Sequence, residues 1–245
     1  MTAPLLRLEG VHTHIGAYHI LHGVDFEVPA GGVTVLLGRN GAGKTTTLRT
    51  IMGLWQASAG RIVFDGRAIQ ALATPEVARL EIAYVPESMG IFGDLTVREN
   101  LLLAARGARR IEDIDARRLE RLFELFPALK KFWLHPAGKL SGGQKQMLSV
   151  ARAMVEEQRL LLIDEPSKGL APAIVQNLVI ALRELKASRT TVLLVEQNFA
   201  MARALGDTVA VMDNGRVVHR GEMAELAGDE GLQQRLLGVS LGVHA

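Results

Sequence analysis

The sequence contains no cysteine. That excludes a disulfide framework and any zinc or iron–sulfur site built on thiolates, a composition that suits the cytosol. No apolar run approaches the roughly 18 residues needed to cross a bilayer, and the first ten residues lack a secretory pattern, so the chain is expected to be soluble by itself. Charge of one sign is also not in excess: 28 Lys and Arg stand against 26 Asp and Glu, which gives no argument for a nucleic-acid partner. Internal repeats and low-complexity segments are lacking. The 245 residues can bury one substantial core with a subdomain.

What the chain does have is a glycine-rich string, Gly38, Arg39, Asn40, Gly41, Ala42, Gly43, Lys44, Thr45 and Thr46, that follows the P-loop pattern. The glycines let the backbone curl so that successive N–H groups point at phosphate oxygens; Lys44 adds a point charge and the Thr45 hydroxyl suits magnesium. Its context agrees. Residues 33–37 are an apolar run of strand length, and residues 45–52 can continue as a helix whose N-terminus favours anions.

A second apolar run, residues 160–163, ends in Asp164 and Glu165. A P-loop needs an acid at the end of a neighbouring parallel strand to hold the magnesium shell, which assigns Asp164 as a metal ligand. Glu165, one residue on, is placed to orient and deprotonate water. Between these strings lie Ser141, Gly142, Gly143 and Gln144, followed by apolar residues at helical spacing. A serine and two glycines at a helix start offer bare N–H groups and a positive dipole end, although taken alone they also describe an ordinary N-cap.

Residues 5–13, 20–28 and 61–64 read as strands of an antiparallel layer. Strand and helix alternate after residue 153: strands at 160–163, 191–195 and 209–212, helices at 173–186 and 200–205. Between residues 90 and 139 the pattern turns helical and charged, with a capping box at Thr96 and Glu99 and an amphipathic stretch at 117–126. Arg106, Arg109 and Arg110 read as a solvated loop. His12 and His14 share a strand face but have no further ligand near them in sequence.

The order P-loop, Leu140-Ser-Gly-Gly-Gln144, strand with Asp-Glu resembles the ATP-binding cassette ATPases of ABC transporters, over nearly the whole chain. The resemblance implies an α/β P-loop core with an antiparallel β layer (residues 1–88 and 150–222), an inserted helical subdomain (89–149) and a short C-terminal tail (223–245). It implies ATP and Mg2+ as ligands. It also implies a head-to-tail dimer with a second cassette, each ATP lying between one subunit's P-loop and the other's Ser-Gly-Gly. Two membrane permeases, and indirectly an extracytoplasmic solute-binding protein, are the further implied partners, with the cassette at the cytoplasmic face of the plasma membrane.

Four places depart from the family's commonest pattern, one of them the loop after the catalytic acid, where Ser167-Lys-Gly-Leu-Ala-Pro172 lacks the usual aspartate. Glu87 follows Val85 and Pro86 where a glutamine is usual, and it can still coordinate magnesium or order water. Gln197 stands where a histidine is usual; its amide can hydrogen-bond a γ-phosphate but carries no proton in the physiological range. Ile15 occupies the place of the aromatic residue that stacks on adenine, leaving His14 or Tyr18 as substitutes. Normal turnover and slow hydrolysis at this subunit's own site are both open readings of Glu87 and Gln197. With Ser167-Lys-Gly-Leu-Ala-Pro172 and Leu125-Phe-Pro127, the combination is similar to the smaller-tailed ATPase of branched-chain amino-acid importers. Urea-type importer ATPases share much of it; a lipid or polysaccharide exporter ATPase and a soluble non-transport cassette are the rivals.

Overall fold

The computed structural model describes residues 3–187 and 190–238. In chain order, β1 (Leu6–Ile15) and β2 (Tyr18–Val28) form a hairpin, and β3 (Val33–Gly38) leads through the glycine-rich loop into α1 (Lys44–Ile51). Next come β4 (Ala57–Phe64), β5 (Arg67–Ala68), α2 (Thr74–Ala78) and β6 (Ile82–Val85). A helical block follows: α3 (Val97–Ala104), α4 (Ala116–Leu125), α5 (Pro127–Lys131) and α6 (Gly142–Met154). The chain then alternates β7 (Leu160–Asp164), α7 (Pro172–Ala187), β8 (Thr191–Glu196), α8 (Phe199–Leu205) and β9 (Thr208–Asp213), and closes with β10 (Arg216–Glu222), α9 (Met223–Gly228) and α10 (Glu230–Leu237).

β3, β7 and β8 are buried along their whole length, which is why they read as unbroken apolar runs: parallel strands covered on both faces have no polar side to show. They lie at the centre of a six-stranded sheet of order β10-β9-β3-β8-β7-β6, in which only β10 runs antiparallel. Alternate side chains divide the core. Val35, Leu37, Leu161, Ile163, Val192 and Leu194 face the helices, while Leu36, Leu160, Leu162, Leu193 and Val195 face α1 and the second sheet. That sheet, β2-β1-β4-β5, is antiparallel throughout.

The helical block packs its apolar face into the first of these clusters, so Leu101, Leu122, Phe126, Leu129 and Leu148 share one core with the sheet. The position between residues 149 and 150 lies inside α6. Thr96 and Glu99 cap α3 reciprocally, the Thr96 hydroxyl accepting from the Glu99 N–H at 3.2 Å and Glu99 accepting from the Thr96 N–H at 2.8 Å. Asn100, fully buried, ties α3 to the loop before it. Its amide oxygen accepts from the Phe92 N–H at 2.9 Å, and its amide nitrogen donates to the carbonyls of Phe92 and Thr96, both at 2.9 Å. Asn100→Ala leaves the Phe92 N–H without its side-chain acceptor and empties a buried position, and is expected to cost about 1–3 kcal/mol of stability, read as a lower urea midpoint at unchanged slope.

One expectation needs correcting. β4 is longer than the residues 61–64 read from the sequence, because Ala57–Arg61 pairs with β1 across a bulge although its side chains face solvent. Arg106, Arg109 and Arg110 lie in an exposed loop, as expected, where the Arg106 backbone N–H and guanidinium also bond Glu156 and the guanidinium reaches the Ala78 carbonyl. Part of the expected tail, residues 239–245, lies outside the described residues. Among those described, no helix is long and apolar enough to cross a membrane.

Candidate nucleotide site

Ligands of open parallel sheets bind beyond the carboxyl ends of the strands, and here β3, β7 and β8 end at Gly38, Asp164 and Glu196. A cleft of about 350 Å³ opens at that edge, lined by Ile20, Asn40, Gly41, Gly43, Lys44, Thr45, Thr46, Glu87, Glu165 and Lys168. A larger cavity of about 670 Å³ surrounds Arg118, Arg121, Glu157 and Glu184 and is lined by neither the glycine-rich loop nor Asp164 and Glu165.

The loop before α1 can curl because glycine adopts what other residues avoid. Gly43 has φ +103°, and a Cβ there would stand 2.9 Å from the Leu21 methyl of the neighbouring hairpin. Lys44 folds back into this loop. Its buried ammonium donates to the carbonyls of Gly38 at 2.9 Å and Arg39 at 3.0 Å and pairs with Glu165 at 3.2 Å. Thr45, on the next position of α1, donates its hydroxyl to Asp164 Oδ1 at 3.0 Å. The other oxygen of Asp164 accepts from the Tyr84 hydroxyl at 3.1 Å.

Burial pushes the Asp164 carboxyl above the usual carboxylate range, the hydrogen bonds from Thr45 and Tyr84 pull it down, and the charges of Glu165 and Glu87 push it further up. Tyr84 is raised to about 12, first by burial and then by the Asp164 charge, so it remains a hydrogen-bond donor at neutral pH.

Glu165 sits at φ +45°, a left-handed conformation uncommon for a residue with a side chain, and its N–H is held by the Val195 carbonyl at 2.9 Å. The turn throws its carboxylate into the cleft. There Oε1 also accepts from the Gln197 amide at 2.6 Å, and the same amide reaches Asn40 Oδ1 at 2.6 Å. Gln197 thus joins the glycine-rich loop to the acid after β7.

Three contributors were not among the expected site residues. Tyr84 comes from β6, which pairs with β7 in parallel register two residues before Asp164. Glu196, buried, accepts from the Ser167 N–H and hydroxyl and from the N–H groups of Gln197 and Asn198, at 2.9–3.1 Å. It fixes the chain on both sides of the cleft; burial raises its pKa against the pull of those hydrogen bonds. Lys168 donates to Glu87 at 2.5 Å and stands 3.7 Å from Glu165. The Glu87 hydrogen bond and charge raise the Lys168 pKa above its ordinary value, so it is a cation at neutral pH.

Other expected residues stand apart. Ile15 is half-buried at the hairpin end and does not line the cleft; Ile20, a bulge residue of β2, does. Gly38, Arg39 and Ala42 belong to the loop but do not line the cleft. Ser141 to Gln144 form the N-terminus of α6 and line no part of this cleft. The Ser141 hydroxyl accepts from the Gln144 N–H at 3.3 Å, and the Gln144 side chain accepts from the Ser141 N–H at 2.9 Å. Gly143 is required by close packing, since a Cβ would meet Ile174 of α7 at 2.6 Å. His12 and His14 are joined by His19 and His22 in a stacked group on the outer face of the hairpin, which strand pairing rather than sequence brings together. No three or more metal-ligating side chains are grouped as ligands among the described residues.

Residues 21–168 match the family model described as ABC transporter. The chain belongs to that family. A high-affinity branched-chain amino acid transport ATP-binding protein, BraG of Pseudomonas aeruginosa, is 39% identical over 96% of this cassette and 100% of its own length. A probable branched-chain amino acid transport ATP-binding protein, LivF of Archaeoglobus fulgidus, is 34% identical over 96% of the cassette and 99% of its own length. Among solved structures, the ADP conformation of an ATP-binding cassette of an ABC transporter superposes with a TM-score of 0.80 at 26% identity, covering 97% of this chain and 100% of that one. The cassette is an ATPase of the α/β P-loop type, binding adenine nucleotides and hydrolysing ATP in the service of transport.

Proposed function

We propose that the cassette drives an importer for branched-chain or related amino acids, from the cytoplasmic face of the plasma membrane, with two permeases and a second ATPase subunit, same or different. An extracytoplasmic solute-binding protein completes the assembly. The observation that carries the dimer is the separation of parts. Lys44, Thr45, Asp164, Glu165 and Gln197 meet at one cleft, whereas Ser141 and Gly142 are exposed at a helix start elsewhere on the same chain. A second cassette, head to tail, would bring its own Ser-Gly-Gly to this cleft. Full-length similarity to two amino-acid importer ATPases supports the solute class.

In this reading the glycine-rich loop cradles the phosphates and Lys44 turns from the Gly38 and Arg39 carbonyls to the terminal phosphates. Glu165 accepts the proton of the attacking water, and Gln197 positions that water and the γ-phosphate. Thr45 and Asp164, already sharing a hydrogen bond, and Glu87 across the cleft present the hard oxygen donors that suit Mg2+. Bound there, Mg2+ would offset the charge of the transferring phosphate.

The test is uptake. Co-expressed with its permeases, second cassette and binding protein in cells lacking branched-chain uptake, the cassette should restore ATP-dependent accumulation of labelled leucine. Membrane assembly and ATPase activity without transport of leucine, isoleucine or valine would reject the solute; failure to assemble with any permease would reject the transporter role.

A further inference from the structure

Lys168 is the charged residue of the cleft lining that has no part in holding phosphate, metal or attacking water. It lies three residues beyond Glu165, and its ammonium is the shared partner of two carboxylates, Glu87 at 2.5 Å and Glu165 at 3.7 Å. The two acids belong to different segments, one following β6 and the other following β7, so the pair spans the mouth of the cleft. Among the described residues, Lys168 is the side chain that holds Glu87. Lys44 meanwhile occupies the inner side of Glu165. Glu165 is therefore shared between two ammonium groups, one deep and one at the rim, while Glu87 pairs with the rim ammonium alone.

We propose that Lys168 is the resident cation of Glu87, and that it must release Glu87 before that carboxylate can serve a divalent metal. The inference rests on the nucleotide reading of the cleft. The charges decide its direction. A carboxylate paired to an ammonium at hydrogen-bond distance is a poorer metal ligand, because the pair has to be broken first. Coulomb attraction to a second, doubly charged cation competes for the same oxygens, and the two cations repel each other across the few ångströms of the cleft. Lys168 can leave at little cost, since its side chain is more than half exposed and water can take over its hydrogen bonds. The consequence is a threshold: Lys168 raises the free Mg2+ needed to load nucleotide, and once displaced it stands free at the mouth of the site. A neutral residue at the same position would remove the threshold.

The measurement is equilibrium binding of a fluorescent non-hydrolysable ATP analogue to the purified chain across a range of free Mg2+. Lys168→Met should lower the half-saturating Mg2+ by about three- to tenfold, while Lys168→Arg, which keeps the charge, should hold it near the wild-type value. In a Glu87→Gln background, where Lys168 keeps only its longer contact with Glu165, Lys168→Met should shift the midpoint by less than twofold. An unchanged or raised midpoint in Lys168→Met, with tight binding retained at saturating Mg2+, would overturn the competition while leaving the nucleotide reading intact. A wild-type chain that binds no analogue at any Mg2+ concentration would overturn both.

Discussion

Lys44→Ala is expected to weaken ATP binding by a hundred- to a thousandfold or more. The ammonium is buried in the cradle, where its partners are two backbone carbonyls and Glu165. Backbone N–H groups supply only partial charges to a triphosphate, whereas the ammonium supplies a full one in a region shielded from water. Removing one partner of a buried, hydrogen-bonded charge pair costs about 3–5 kcal/mol, and each 1.4 kcal/mol is a factor of ten in Kd. The loss is compounded because Glu165 keeps its negative charge while losing its nearest counter-ion, leaving a carboxylate facing the incoming phosphates. Isothermal titration with ATP and Mg2+, alongside a melting curve to establish that the variant is folded, checks the prediction. A Kd within threefold of wild type in a folded variant would remove Lys44 from the phosphate site.

The central sheet and the deep parts of the cleft were legible in the sequence because they obey local rules. β3, β7 and β8 are buried on both faces and so appear as continuous apolar runs, and the residues at their ends inherit a defined place at the sheet edge. The reciprocal caps at Thr96 with Glu99 and at Ser141 with Gln144 lie three residues apart and need nothing but the local chain. β10 was not legible: as an antiparallel edge strand with half-exposed side chains, Arg216–Glu222 shows no apolar alternation. Nor was β6, four residues whose pairing with β7 is fixed by long-range packing.

The same division runs through the site. Lys44, Thr45, Asp164 and Glu165 belong to motifs, but the partners that orient them arrive from afar. Tyr84 reaches Asp164 across 80 positions of chain, and Gln197 reaches Asn40 across 157. Glu196 reads in sequence as the polar end of a strand. Only the fold shows four donors converging on it, which makes it the anchor that places Ser167 and Gln197 together. Ile20 entered the cleft through a bulge that shifts the β1–β2 register by one residue, a local irregularity that apolar alternation does not disclose.

Glu165→Gln is expected to leave nucleotide binding intact and to slow hydrolysis by a hundred- to ten-thousandfold, the range over which a positioned general base contributes. The side chain's place is set by its backbone, at φ +45° with the N–H held by Val195, and neither depends on the charge of the carboxylate. Glutamine can accept from the Gln197 amide through its own carbonyl oxygen, so the shape of the cleft survives. What is lost is the oxygen able to take a proton from water. Loss of a negative charge beside the γ-phosphate also removes a repulsion, so ATP should bind at least as tightly as in the wild type. ATP held without turnover should then keep two cassettes together, and size-exclusion chromatography with ATP and Mg2+ should show a dimer absent with ADP, formed with the partner cassette where the natural dimer is mixed. Single-turnover hydrolysis in the assembled transporter separates this site from one using the partner's own base. If that rate stays within threefold of wild type, the proton goes elsewhere, and the charge of Glu165 serves instead to hold Lys44 and Lys168 at the two sides of the cleft.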